Sequence, residues 1–153
     1  MENTDLTKVI PEKISLERVD ILKAQFESDF ETLLLESDEL GYSLDYKSVE
    51  NFQENEIRSE LEVTVVKYKE GTEIVLAKAV FKLSFLYKIE NLYHLTVQKG
   101  ANKQIDGGLA ATLAGISYST ARGVLLTRFQ GTAFRDFILP IVNPRDMTEN
   151  TVV

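Results

Sequence analysis

Between residues 22 and 89, apolar and polar positions trade places almost residue by residue, the period of strands with one buried face. In the first run Leu22, Ala24, Phe26 and Phe30 fall on one side, and Lys23, Gln25, Glu27, Asp29 and Glu31 on the other. Glu36-Ser37-Asp38-Glu39, with Gly41 beyond, reads as a connection. Tyr42, Leu44 and Tyr46 then alternate with Ser43, Asp45 and Lys47 in a second strand. A turn over 51–55 leads to a third, where Ile57, Leu61, Val63 and Val65 oppose Arg58, Glu60, Glu62 and Thr64. The stretch KEGTE (69–73) carries the glycine of a short hairpin loop. The fourth strand extends to about Ile89. Val75, Ala77, Ala79, Phe81, Phe85 and Tyr87 line one of its faces; on the other, Leu76, Val80 and Leu86 are interrupted by Lys78, Lys82 and Lys88.

After residue 102 the period lengthens. Asp106 is placed to cap a helix, Leu109, Leu113, Ile116, Thr120 and Val124 recur at helical spacing, and Gly131 is the glycine expected just past its end. Between 107 and 123 this helix is crowded with Gly, Ala and Ser. Each interior glycine costs about 1 kcal/mol relative to alanine, so another surface is expected to approach closely. Four strands followed by one helix predict an α+β fold: a four-stranded antiparallel sheet with a long helix packed on one face. One helix cannot cover both faces of the sheet, and the half-apolar second face of the fourth strand predicts self-association.

A length of 153 residues bounds the chain to one domain, expected over 13–144 between polar tails at 1–12 and 145–153. A net charge of −7 lacks the basic face that a nucleic-acid partner needs. No apolar run approaches a membrane span, and residues 1–11 lack the pattern of an export leader, so no membrane insertion and a cytoplasmic location are expected. With no cysteine there is no thiol nucleophile and no thiolate metal site. His94 is the single histidine, too few for a Ser-His-Asp set or a histidine metal cluster. The alternating carboxylates are the solvated face of a strand. Gly107-Gly108 lacks a phosphate-loop pattern, and Arg122 and Arg128 read as surface or capping residues. Catalytic residues and cofactors are therefore expected to be none. What remains is the irregular apolar ending with Phe134, Phe137, Ile138, Leu139, Ile141 and Val142, in which Pro140 and Pro144 forbid regular structure. Such a segment offers side chains rather than backbone pairing, as one wall of a groove does.

The stretch ARGVLLTRFQGTAFRDFILPIVNP (121–144) resembles the SecB protein-export chaperones, whose long helix contains an Ala-Arg pair and runs to a Gly junction. An aromatic residue and an ending in which Leu139, Pro140, Val142 and Asn143 stand out follow in the same order. The resemblance implies a cytoplasmic, ATP-independent holdase that binds unfolded polypeptides in apolar grooves for export, here with Phe81, Phe134, Phe137, Ile138, Leu139, Ile141 and Val142 in the groove. It implies a homotetramer, a dimer of dimers, with Ala111, Ala114, Gly115 and Tyr118 at the helix interface. It further implies docking of the SecA motor on an acidic sheet face containing Glu27 and Asp29. Lys78 stands near the family's acidic position, a reversal that predicts weak or absent SecA binding. Divergent relatives instead serve one client, such as the antitoxin of a toxin–antitoxin system, and that reading stays open. A small-molecule or lipid carrier with a closed cavity is the alternative from another class.

Overall fold

The computed structural model describes residues 9–28 and 38–149. Four long strands, β1 (Ile14–Ser28), β2 (Asp38–Asn51), β3 (Glu56–Lys69) and β4 (Val75–Ile89), form one antiparallel sheet in the order β1-β4-β3-β2. A short hairpin, β5 (Thr96–Lys99) with β6 (Asn102–Ile105), leads into the long helix α1 (Gly107–Arg128), and a brief helix, α2 (Pro144–Glu149), follows the apolar ending. The α+β architecture expected from the pattern is the one observed. Phe30, Asp29 and Glu31 lie outside the described residues.

Where the pattern and the structure differ, local geometry explains it. β1 begins at Ile14 rather than Leu22, because its register against β4 shifts between Leu16 and Arg18 and again between Ile21 and Lys23. Each bulge inserts an extra residue and breaks the period of two that announces a strand. Gly41 lies within β2 rather than in a connection. A Cβ there would stand 3.2 Å from the ring of Tyr68 on β3, so glycine makes room for the ring. The β5–β6 hairpin has no alternating signature because its side chains are mostly exposed and polar; the Asp106 amide closes its base on the Leu95 carbonyl at 2.7 Å. Asp106 caps α1 as expected, accepting from the amides of Gly108 (2.9 Å) and Leu109 (3.3 Å).

The buried face of α1 is Leu109, Leu113, Ala114, Ser117, Tyr118, Ala121 and Leu125. Ile116, Thr120 and Val124, which share its helical spacing in the sequence, are only half-buried on its flank. The inward positions are small because the helix lies close on the sheet: the Tyr87 hydroxyl of β4 reaches Ser117 Oγ at 2.6 Å and donates to the Leu113 carbonyl at 3.3 Å. Alongside, Tyr46 and Ser59 share a hydroxyl hydrogen bond of 2.9 Å. Burial raises the pKa of both phenols, more than their serine partners lower it, so they act as neutral hydroxyls. The core beneath α1 is made by Ile57, Leu61, Val63 and Val65 of β3 with Phe81, Leu83, Phe85 and Tyr87 of β4, all essentially inaccessible. No helix among the described residues is long and apolar enough to cross a membrane.

The opposite sheet face interleaves charges of both signs with the buried Val80 and the half-buried Leu76 and Leu86 of β4. Lys78 stands directly across from Glu27, and Lys82 from both Lys23 and Glu62. Glu60 lies between Lys47 at 3.2 Å and Lys82 at 3.5 Å. Partial burial pushes its carboxyl up, but the hydrogen bonds and charges of Lys47 and Lys82 outweigh that and hold it below its ordinary value of 4.5. A carboxyl depressed in the folded state stabilises fully above its unfolded value, and that contribution disappears as the pH falls through the folded value. Thermal unfolding followed through the acid limb should therefore show stability falling below about pH 4.5, with a smaller fall in a Glu60→Gln variant. In the core, Tyr87→Phe removes the closest partner of the fully buried Ser117 hydroxyl. Denaturant titration should register a loss of about 1–3 kcal/mol, the usual range for a buried polar group left unpaired.

Candidate functional site

One row across the helix-bearing sheet face reads Tyr42, Val65, Ala79, Phe26 from β2 to β1, small in the middle and aromatic at both edges. Phe129, just past α1, and Phe134 beyond it join this end of the sheet. Phe26 packs edge-on against Phe81 (5.4 Å between ring centres) and Phe129 (6.0 Å), with Phe134 at 6.5 Å. Phe129 continues to Phe137 at 6.2 Å, and Phe137 to Tyr42 at 6.0 Å. The result is an aromatic band running from one sheet edge to the other, buried in its middle and open at its ends. Phe26 is 42% exposed and Tyr42 44%.

The apolar segment 132–143 is a strap laid along this band and back over α1. Its shape is set by backbone polar groups that find side-chain partners, since Pro140 and Pro144 exclude it from a sheet. Thr132 Oγ1 accepts from the Phe134 amide at 3.1 Å, and Lys67 Nζ donates to the Ala133 carbonyl at 3.4 Å. From α1, Arg122 Nε donates to the Leu139 carbonyl at 2.9 Å and the Tyr118 hydroxyl donates to the Pro140 carbonyl. Fixing two successive carbonyls decides which strap side chains turn in and which turn out.

Of the groove residues expected from the sequence, Phe81, Phe134 and Leu139 are buried within this chain's own core, Phe137 and Val142 are half-buried, and Ile138 and Ile141 are exposed. The residues expected at a helix interface also have partners nearer at hand. Ala114 is fully buried in the core, Gly115 faces Pro144, and Tyr118 holds the strap; Ala111 is half-buried. The strap and α2 are thus one of the close-approaching surfaces that the small residues of α1 accommodate. The helix also carries an uncharged outer stripe of Ser119, Gly123 and Leu126, all exposed, bordered by Ile116, which packs against the core.

Sequence reasoning missed the apolar shoulder on β1, where Leu16, Val19 and Ile21 point to the helix side yet stay about two-fifths exposed. Their apolar character was visible, but the bulges hid their common face. It also missed that Phe26 and Tyr42 are the open ends of the band, because exposure at a sheet edge depends on strand order. His94 is exposed and meets the ring of Tyr93 edge-on at 5.6 Å. No group of three or more His, Asp or Glu side chains placed to hold a metal ion occurs among the described residues. What this region offers is apolar contact area with a few neutral hydroxyls.

No family model matches the chain, and no curated protein matches it by sequence. Among solved structures, a SecB-like chaperone from Mycobacterium tuberculosis, determined in complex with a ChAD peptide from the HigA1 antitoxin, superposes with a TM-score of 0.55 at 13% identity, covering 86% of this chain and 91% of that one. A protein of unknown function from Streptococcus agalactiae covers 84% of this chain and 97% of its own at 11% identity, with a TM-score of 0.31. The four-stranded sheet, the long helix on one face and the 0.55 superposition together make this a SecB-like fold.

Proposed function

We propose that this protein is a cytoplasmic, ATP-independent holdase that binds unfolded polypeptide segments against the aromatic band and the strap. The observation that carries this reading is the band itself, aromatic from edge to edge, buried in its middle and open at Phe26 and Tyr42. The exposed Ile138 and Ile141 of the strap follow Phe137 in sequence. Large apolar side chains fixed over a packed floor bind apolar segments with little loss of their own freedom. The SecB-like fold supports the reading, and the mycobacterial chaperone of similar fold was determined in complex with a peptide. Client contact is assigned to the exposed residues and the half-buried Phe137 and Val142, with Phe81, Phe134 and Leu139 supporting them from below.

Within that role, a dedicated client or a small set of clients is favoured over hand-off to SecA. The observation is the pairing of Lys78 with Glu27 directly across strands β4 and β1, which offsets the charge that a basic docking tail would seek. Assembly into a homotetramer through the uncharged outer stripe of α1 belongs to the same proposal, because an apolar and small-residue helix face left in water invites a second helix.

Suppression of aggregation of a urea-unfolded test protein should fall at least threefold in a Phe26→Ser/Ile138→Ser double variant whose unfolding curve remains cooperative. Full activity in that variant would remove the band and strap from the binding site. Native mass measurement should give four chains per particle, reduced to smaller species when Gly123→Glu places a charge on the outer stripe. A monomer at micromolar concentration would sink the assembly.

A further inference from the structure

At the end of the sheet where β3 begins and β4 finishes, two stretches of opposite charge lie side by side. One is the β5–β6 hairpin with the turn that leads into it. Residues 91–105 carry Lys99 and Lys103 and no carboxylate side chain, in a chain of net charge −7. Every residue from Val97 to Gln104 is exposed, and Tyr93 at the foot of the hairpin is 79% exposed. The other is the β2–β3 turn with its flanks, where residues 48–57 carry Glu50, Glu54 and Glu56 and no Lys or Arg. The Asn55 carbonyl accepts from the Ile89 amide at 2.9 Å, and Glu50 and Ile105 line one cavity of about 100 Å3, which places turn and hairpin at the same end. Lys99 stands about 10 Å beyond the Thr96–Ile105 base of the hairpin, the rise of three strand residues. No ion pair joins the two stretches among the described residues.

We propose that this end is a two-fold contact between copies of the chain, in which the hairpin of each copy lies across the acidic turn of the other. The occupant follows from the charge pattern. A uniformly acidic partner would be drawn to the hairpin and repelled by the turn, and a basic one the reverse. A second copy related by a two-fold axis satisfies both at once, because such a contact needs both complementary halves on one surface of each copy. This end carries both. The hairpin itself also calls for a cover. A two-stranded hairpin standing alone in water is marginally stable, and this one is exposed along both strands, with Val97 and Tyr93 adding apolar area to its lysines. Finally, the four-chain assembly proposed above needs a second contact. Pairing through the outer stripe of α1 about a two-fold axis closes at two copies, and a different two-fold contact must join the pairs. The inference rests on that assembly and supplies its missing interface.

Charge reversal on either side tests the contact in the full-length protein. In sedimentation velocity at low salt, Lys99→Glu/Lys103→Glu should halve the native particle mass, because an acidic hairpin then faces an acidic turn. Glu54→Lys/Glu56→Lys should do the same for the opposite reason. An equimolar mixture of the two variants should recover the native mass, since each hairpin then meets a turn of opposite charge. High salt should shift the native protein toward the half-mass particle, as exposed charges are screened. An unchanged mass in either variant, or no recovery on mixing, overturns the contact. If the turn variant does not fold, an unchanged mass in the hairpin variant overturns it alone. A native particle of two chains that these variants split and Gly123→Glu does not would overturn the outer-stripe contact and keep this one. The reverse pattern overturns this one and keeps the stripe, and a monomeric native protein overturns both. No client enters these measurements, so the holdase reading stands or falls separately.

Discussion

The close approach of α1 to the two central strands is the constraint on which the rest of the molecule depends. Ala114, Ser117 and Ala121 face inward where larger side chains would hold the helix away, and the Tyr87 hydroxyl bridges the gap to Ser117 and the Leu113 carbonyl. A helix this near the sheet covers β3 and β4 and leaves the edge strands with uncovered apolar shoulders. It also brings Tyr118 and Arg122 within reach of the strap carbonyls. Fixed apolar side chains beside a rigid helix follow from one packing distance.

The aromatic band follows from a second choice in the same layer. Val65 and Ala79 keep the centre of their row shallow, and the rings of Phe129 and Phe134 complete the packing at that end of the sheet. Phe26 and Tyr42 then lie at the margins with ring edges in water. The other sheet face is organised by opposite rules, with charges of both signs interleaved across strands, as Glu27 with Lys78 and Glu62 with Lys82.

Much of this was legible in the chain. Alternation marked the four strands, Asp106 marked the start of α1, and the irregular apolar ending pointed to a side-chain surface. Three things were not. The first half of β1 was hidden because bulges shift Leu16, Val19 and Ile21 out of phase with the residues that follow. The inward face of α1 was misjudged because Ile116 and Val124 are larger than the Ala and Ser residues that pack inward. The burial of Phe134 and Leu139 could not be separated from the exposure of Ile138 and Ile141, since apolar side chains in an irregular strap carry no period. Their fates are decided by which carbonyls Arg122 and Tyr118 hold.

The bulges in β1 have a further consequence. An edge strand of fifteen residues, apolar on one side, is the kind of ladder on which another extended chain can crystallise as an added strand. Under the proposed holdase role such partners would be met constantly, and an unbroken edge would convert transient capture into fibre growth. The shifts after Leu16 and after Ile21 divide the ladder into short segments whose spacing a regular strand cannot follow. The apolar shoulder thereby stays available to side chains while its backbone is a poor template, which separates holding a chain from seeding its aggregation.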